Sequence, residues 1–214
     1  MLAMAESAAR SEPLEVKGHI ARAAARLFAA QGYDATSVRE IVEEAGVAKP
    51  TLYYHFGSKE GLAQALFTLP MTSLIERLRH VVEGPGDPVE DLEQIFRAHF
   101  DFCQDEPDCC RFVFAVHFGP RSSSLQATLA SCRGKELDGV LNFGVRRLAE
   151  AGLIPADRAE DLVLACHGLI VFHTLKYLYK DGELGPDLPG RLVFSLLHGF
   201  GSPVGATAAP GRLP

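Results

Sequence analysis

One short stretch, 49–56, carries several side chains that suit nucleic-acid recognition; its sequence is KPTLYYHF. Lys49 can donate to a guanine edge or to a phosphate, and Thr51 can contact a thymine methyl or a phosphate. The phenol and imidazole groups of Tyr53, Tyr54 and His55 can donate hydrogen bonds to phosphate oxygens. This pattern is typical of a surface that contacts DNA, although two adjacent tyrosines also occur on surfaces that flank a hydrophobic core.

A second set of residues has metal-ligand or nucleophile chemistry. Its members are His99, Cys103, Cys109, Cys110, His117, His167 and His173. His99 and Cys103 are four residues apart, so on a helix they share a face and can share a metal ion. However, the sequence has no CxxC or HExxH motif, no nucleophile elbow and no phosphate loop. Acidic neighbours of Cys109 and Cys110 favour raised thiol pKa values. We therefore predict no metal, no cofactor and no enzyme, with a metal or thiol sensor and a small helical enzyme as alternatives.

Aromatic and histidine residues in the second half of the chain can line a cavity. The predicted lining residues are His99, Cys103, Phe112, Phe114, His117, Phe118, Phe143, His167, Phe172 and His173. A mostly apolar cavity with a few polar groups suits a drug-sized hydrophobic ligand. A histidine on an apolar helix face needs a hydrogen-bond partner, which either a ligand or the protein can supply. Each phenylalanine fits a plain core position equally well.

The elements that position the 49–56 stretch begin with two predicted helices. Residues 15–31 place apolar side chains at helical spacing on one stripe, and these are Ile20, Ala23, Ala24, Leu27 and Phe28. Residues 36–46 form a short helix, in which Ser37 and Glu40 have the spacing of a capping box. Thr36 is the alternative cap.

A turn and a third helix follow. Gly46 opens a short turn in which Val47 is the apolar contact, and Pro50 fits the first turn of a helix from Lys49 to Tyr54. A helix, a short turn that contains glycine and a second helix form the helix-turn-helix pattern, whose second helix can enter the DNA major groove.

The remaining chain is punctuated by Pro and Gly into segments rich in Ala, Leu, Arg and Glu, which favours helices. We predict an all-α protein of about nine helices, the later ones over 62–82, 89–104, 109–119, 125–151, 157–180 and 189–200. Pro70 lies inside the first of these and predicts a bend near 67–70, or a helix that ends and restarts there.

Composition and charge restrict the class of protein. Apolar residues make up 47% and charged residues 22% of 214, which is typical of a globular protein. No run of 18 apolar residues and no secretory signal is apparent, so we expect a cytoplasmic protein with no membrane partner. The net charge is −6, yet residues 15–60 hold six basic and six acidic residues. Any polyanion contact is therefore predicted in this N-terminal part.

The stretch TSVREIVEEAGVAKPTLYYHFGSKEGL, at 36–62, closely resembles the DNA-binding signature of TetR/AcrR-type transcriptional regulators. The upstream sequence ARLFAAQGYDATSV also fits that family, and together the match covers about residues 15–65. The resemblance implies that Arg39, Lys49, Pro50, Thr51 and Tyr53 face bases. It implies that Ser37, Tyr54, His55 and Lys59 face phosphates. Lys49 departs from the small or polar residue that is common there, which puts the sequence preference in doubt.

The same resemblance implies the domain organisation and the partners. We expect a flexible tail at 1–14, a DNA-binding domain at 15–62, a ligand-binding and dimerisation domain at 63–200 and a disordered tail at 201–214. A dimer of identical chains would bind a palindromic, double-stranded operator as a repressor and would be released by a small hydrophobic ligand. The last two helices would form the dimer interface, through Ala165, Gly168, Leu169, Phe172, Leu192, Leu196 and Phe200.

Overall fold

A computed structural model describes residues 2–118 and 134–199 of the chain. These residues form nine α-helices and one 3₁₀ helix, and no β-strand lies among them. In chain order the helices are α1 Leu2–Gln31, α2 Val38–Ala45, α3 Lys49–Phe56, α4 Lys59–Val82, α5 Pro88–Asp105, α6 Pro107–Phe118, α7 Gly134–Glu150, the 3₁₀ helix Ala156–Arg158, α8 Ala159–Tyr179 and α9 Leu188–His198. The all-α prediction is confirmed.

The start of α1 differs from the prediction. The helix begins at Leu2 instead of residue 15, so the segment expected to be a flexible tail has helical backbone over residues 2–14. This segment is rich in Ala, Leu, Met, Glu and Arg, which have high helix propensity, and it contains no glycine. The single Pro13 does not end the helix.

The N-terminal helices share one hydrophobic core. Ile20 and Phe28 of α1, Ile41 of α2 and Leu52 of α3 are completely buried in it. Burial of one such side chain contributes about 1.5–3 kcal/mol. Phe112 of α6 is also part of this core, with its ring centroid 5.1 Å from that of Phe28. The N-terminal core is therefore completed by a residue from the C-terminal part of the chain.

α4 belongs to two cores. Leu62, Ala63 and Leu66 near its start are buried in the N-terminal core, and Leu74 and Leu78 near its end are buried in the C-terminal core. The expected domain boundary after residue 62 therefore lies inside a continuous helix, and the N-terminal core extends to Leu66. A rigid helix shared by two cores can transmit a displacement between them.

Pro70 lies inside α4, and the helix continues through it. Proline has no N–H, so the carbonyl oxygen of Leu66 lacks the helical partner that residue 70 would supply. The thiol of Cys109 on α6 donates to this oxygen at a distance of 3.1 Å. The alternative in which the helix ends and restarts at Pro70 is therefore wrong, whereas the bend stays a prediction.

α5 is the central helix of the C-terminal core and contacts α4, α6, α7, α8 and α9. Leu92, Ile95 and Phe96 are completely buried on it. Asp91 is buried beside them and forms an ion pair with Arg147 of α7, which also donates to the carbonyl of Gly86 at 2.7 Å. Burial raises the pKa of the Asp91 carboxyl, and the Arg147 charge opposes that rise.

Two predicted segments fall outside the described residues. One is the first part of the helix predicted at 125–151, whose described part begins at Gly134. The other is the tail predicted at 201–214, together with Phe200 of the predicted interface.

Candidate nucleic-acid interface and ligand domain

The start of α2 is fixed by a reciprocal cap. The Ser37 hydroxyl accepts from the Glu40 backbone N–H at 3.2 Å, and the Ser37 N–H donates to the Glu40 carboxylate at 2.7 Å. These bonds hold the pKa of the Glu40 carboxyl below its usual range. Thr36 is buried and donates to the Gly32 carbonyl at 2.8 Å. The predicted capping box is confirmed, and Ser37 is the cap instead of Thr36.

The turn between α2 and α3 depends on Gly46. Its φ of +66° lies in the left-handed region, where a side chain is strained. The N–H of Val47 donates to the Val42 carbonyl at 3.0 Å, which closes the turn, and the Val47 side chain packs on the N-terminal core. The predicted turn with its apolar contact is confirmed, and it sets the direction of α3.

α3 presents a polar face to solvent. Leu52 is completely buried, whereas Tyr54 is 85% and Tyr53 46% exposed. Lys49 and Pro50 are exposed as well, and Thr51 and His55 are partly exposed; Lys49 and Pro50 begin the helix. No acidic residue occurs between 46 and 58, so α3 itself carries the positive charge of Lys49 and no negative charge. The arrangement can donate hydrogen bonds to phosphates and base edges.

Arg39 lies on the exposed surface of α2, where it donates to Glu43 at 2.7 Å one helical turn away. Both side chains are mostly exposed, and surface pairs of this kind contribute little to stability. A negatively charged partner such as DNA can therefore compete with Glu43 for the Arg39 guanidinium.

The structure places Lys59 differently from the prediction. Its ammonium group donates to the carbonyls of Tyr33 and Thr36, both at 2.8 Å, and lies 4.2 Å from the Tyr33 ring centroid. Carbonyl groups of the α1–α2 loop thus bind the ammonium group that was expected to face phosphate. Sequence could not reveal this contact because it joins residues more than 20 positions apart.

The corner between α3 and α4 is also fixed by local geometry. Ser58 caps α4 by accepting from the Gly61 N–H at 3.0 Å, as predicted. A Cβ at Gly61 would lie 2.1 Å from the carbonyl oxygen of Phe56, so only glycine fits there. This corner fixes the position of α3 relative to α4.

The comparisons with known proteins agree with this geometry. Residues 20–66 match the family model described as bacterial regulatory proteins, tetR family. Over 193 residues, the chain is 36% identical to the HTH-type transcriptional repressor KstR2 of Mycobacterium tuberculosis, which spans 86% of this chain and 91% of that repressor. The chain belongs to the TetR family. Its relatives are transcriptional regulators, which are not enzymes.

Two solved structures share the fold of this TetR-family chain. FadR of Bacillus subtilis, in complex with stearoyl-CoA, has a TM-score of 0.69 at 20% identity and covers 86% of this chain and 98% of its own. AibR, in complex with isovaleryl coenzyme A and operator DNA, has a TM-score of 0.63 at 22% identity and covers 85% and 96%. At these identities the likeness establishes the fold alone.

Part of the predicted cavity lining lies inside the C-terminal domain of this regulator. Cys103 is buried, and Phe114, Phe143 and His173 are partly buried. His99 is partly buried and has its Nδ1 2.7 Å from the Ile95 carbonyl. A carbonyl oxygen can only accept a hydrogen bond, so Nδ1 of His99 carries the hydrogen, and in the neutral imidazole Nε2 is an acceptor.

Two histidines of this set are electrostatically linked. Burial, together with the nearby His167, lowers the pKa of His99. His167 itself pairs with Asp138 of α7 at 3.2 Å. The polar groups of His99 on α5, Asp138 on α7 and His167 on α8 therefore lie close together.

The other predicted lining residues lie elsewhere. Phe112 is part of the N-terminal core, because α6 packs across α1. His117 is exposed, and Phe118 and Phe172 are each 62% exposed. Hydrophobicity alone could not distinguish helix faces that are buried in the protein interior from apolar helix faces that are exposed to solvent in the single chain.

The metal- and thiol-sensing alternatives depend on how the histidine and cysteine side chains are arranged. Among the described residues, no group of three or more His, Cys, Asp or Glu side chains is arranged to hold a metal ion. Burial, with a contribution from Glu106, raises the pKa of the Cys109 thiol to about 12. A thiol with that pKa stays protonated at neutral pH and is a poor nucleophile. A hydrogen bond with Cys110 lowers the pKa of the Cys103 thiol.

An apolar stripe lies on the outer surface of α8 and α9. Leu164 is 72% and Phe172 62% exposed, and Phe194 of α9 is 62% exposed. Ala165 and Gly168 are also exposed, and a Cβ at Gly168 would meet open space. We call the exposed residues Leu164, Ala165, Gly168, Phe172 and Phe194 the apolar stripe.

Three other predicted interface residues are placed differently. Leu192 is buried in its own C-terminal core, and Leu169 and Leu196 are partly buried against that core. Leu164 and Phe194, which the prediction omitted, are the more exposed residues of the same two helices. The sequence pattern could have indicated Leu164, because it lies one helical turn before Gly168 and therefore on the same face of α8.

In the described part of the chain, one helical segment is long and apolar enough to cross a membrane by length and composition. It is Ala156–Tyr179, which comprises the 3₁₀ helix and α8. The sequence contains no uninterrupted apolar run of that length. The segment still passes because mean hydropathy is an average over a window that includes scattered polar residues. The buried residues Leu162, Cys166 and Ile170 and the exposed stripe residues of α8 all contribute to this mean hydropathy.

Proposed function

We propose that this chain is a cytoplasmic transcriptional repressor that binds a palindromic operator as a dimer and is released by a small hydrophobic ligand. The observation that carries the proposal is the polar, acid-free face of α3, held outward by the Gly46 turn and the Gly61 corner. In a helix-turn-helix protein this face lies in the major groove. Lys49, Thr51 and Tyr53 contact bases, and Tyr54 and His55 contact phosphates.

The dimer forms through the apolar stripe on α8 and α9. Exposed apolar side chains grouped on a protein surface often mark an interface, and a two-fold partner would cover the stripe with an identical one. Gly168 lets the two copies of α8 approach closely. The two recognition helices then contact half-sites about 34 Å apart, or a multiple of that distance, on one side of the DNA.

The ligand acts through α4 and α6. Both helices connect the C-terminal core to the N-terminal core, α4 through its length and α6 through Phe112. A ligand that shifts α4 or α6 changes the separation of the recognition helices and weakens operator binding. The ligand stabilises the released state because it binds that state more tightly.

For the ligand itself we propose an acyl-coenzyme A thioester, whose acyl chain is the hydrophobic part and whose coenzyme A end carries phosphate groups. The support is that FadR of Bacillus subtilis and AibR, which share this fold, were solved with stearoyl-CoA and isovaleryl coenzyme A. The C-terminal domain supplies partly buried aromatic side chains for an acyl chain, and His99 and His167 for a polar group.

The test is fluorescence anisotropy with DNA from upstream of the gene, against a scrambled duplex, at two salt concentrations. We expect tight binding to the upstream DNA alone, weaker at higher salt because phosphate contacts release counterions. Tyr53→Ala and Lys49→Ala should each weaken binding by roughly tenfold, which is about 1.4 kcal/mol. The matched control is Lys180→Ala, an exposed lysine at the end of α8.

Stearoyl-CoA and isovaleryl-CoA are then titrated into the complex. Release by either supports an acyl-thioester effector, and release by neither at millimolar concentration contradicts that ligand class. Equal binding to both DNAs, unchanged by Tyr53→Ala, would contradict the placement of the recognition helix. Binding that required an added metal ion would favour the metal-sensing alternative.

A further inference from the structure

A groove between α4 and α5 concentrates positive charge on the C-terminal domain. It has a volume of about 360 Å³ and is lined by Arg77, His80, Val81, Gln94, Arg97, Ala98 and Asp101. Two guanidinium groups and one imidazole thus face a single carboxylate, in a chain whose net charge is −6. Such a local excess of cations attracts an anion more strongly than the charge of the whole chain would indicate.

The basic side chains of the groove are available to a ligand. Within the described residues, Arg77 and His80 make no hydrogen bond or ion pair, and both are exposed. Arg97 donates from one Nη to the Pro186 carbonyl at 3.1 Å, which orients its guanidinium while other N–H groups stay free. A guanidinium has five N–H donors in a rigid planar fork that matches a phosphate.

The floor of the groove adjoins the C-terminal core. Ala98 is buried in that core, and Val81 packs against it. Ala98 precedes His99, whose imidazole lies in the interior. The groove therefore combines an apolar floor with the charged side chains of Arg77 and Arg97.

We propose that this groove binds the phosphate groups of the effector, with Arg77 and Arg97 as its principal contacts and His80 as a further donor. The inference rests on the proposed function, in which the effector is a coenzyme A thioester, and it assigns the phosphorylated end of that molecule to named residues. Arg77 belongs to α4 and Arg97 to α5, so one phosphorylated ligand bridges both helices. The bridge ties the second half of α4 to α5 and thereby controls the helix that enters the N-terminal core.

Calorimetric titration of the full chain tests the groove directly. The probes are coenzyme A, dephospho-coenzyme A, pantetheine and inorganic phosphate, each at low and at moderate salt. We expect coenzyme A to bind, dephospho-coenzyme A to bind more weakly, and pantetheine and inorganic phosphate to bind far more weakly. Binding of coenzyme A should decrease as salt rises, because the contacts are ionic.

The variants are Arg77→Gln and Arg97→Gln, with Arg158→Gln as the matched control. Arg158 is an exposed arginine that pairs with Asp161 outside the groove. Each groove variant should weaken coenzyme A binding by roughly tenfold, since a hydrogen bond to a charged group is lost. Thermal unfolding followed by circular dichroism verifies that all three variants fold.

The outcomes separate this inference from the proposed function. Groove variants that bind coenzyme A like the control, or a chain that binds no coenzyme A, would overturn the groove. If stearoyl-CoA or isovaleryl-CoA releases DNA equally from the control and from an Arg77→Gln, Arg97→Gln double variant, the groove is overturned and the effector class stands. If groove binding is lost in the variants but no acyl-CoA releases DNA from the unmodified chain, the groove stands and the effector proposal fails. Inorganic phosphate that displaces coenzyme A at equal concentration would overturn the assignment to a coenzyme.

Discussion

The two domains of this protein expose different kinds of surface, one polar and one apolar. The N-terminal domain is built from two eight-residue helices and one long helix, and it exposes hydrogen-bond donors on α3. The C-terminal domain has a larger core and exposes the apolar stripe on α8 and α9. The first kind of surface suits a polyanion and the second suits a copy of itself. One chain thus separates DNA contact from dimerisation, and α4 and α6 connect the two.

The largest test of this comparison concerns Phe112, an α6 residue in the N-terminal core. Phe112→Ala should cost about 3–5 kcal/mol of unfolding free energy and should raise hydrogen exchange in α1–α3 peptides. Phe100→Ala, an equally buried ring in the C-terminal core, should cost a similar amount and raise exchange in α5 and α8 instead. If Phe112→Ala left α1–α3 protected, α6 would not complete the N-terminal core.

The next test separates two lysines of the DNA-binding domain. Lys59→Met removes two charge-assisted hydrogen bonds to loop carbonyls and should lower stability by roughly 2–3 kcal/mol, as measured by urea unfolding. Lys49→Met should leave stability unchanged and weaken operator binding. If Lys59→Met instead weakened operator binding and left stability unchanged, Lys59 would contact phosphate, as the resemblance implies.

The dimer surface gives a smaller effect per residue. Gly168→Glu places a charge in the apolar stripe and should weaken dimerisation by at least roughly tenfold in sedimentation or light scattering. Gly139→Glu is the matched control, since Gly139 is also exposed with open space at its Cβ, but on α7. A Gly168→Glu protein that stays dimeric at low concentration would place the interface elsewhere.

The DNA-binding domain was largely predictable because its signals are local. The Ser37–Glu40 box, the Gly46 turn and the Ser58 cap each involve residues within a few positions of one another. The contacts that sequence did not reveal there are those of Lys59 and Phe112, which join distant segments.

The C-terminal domain was predictable as helices but less so as a site. Periodicity distinguishes the apolar face of a helix from its polar face, but not a core from an interface. Leu192 is therefore buried where an interface residue was expected, whereas the unpredicted Leu164 is exposed. The basic groove could not be predicted from sequence, because Arg77 and Arg97 are 20 residues apart and come together only when α4 packs on α5.

The finest test concerns the single hydrogen bond at Pro70. Cys109→Ala removes the donor to the Leu66 carbonyl and should cost roughly 1 kcal/mol, measured by urea unfolding. Pro70→Ala restores the helical N–H to that carbonyl, so in a Pro70→Ala background Cys109→Ala should cost less. The resulting coupling energy measures how strongly this bond joins α4 to α6. Additive effects would mean that the thiol contributes only by filling space. A coupling energy accompanied by a changed ligand concentration for DNA release would place this bond on the route between the two domains.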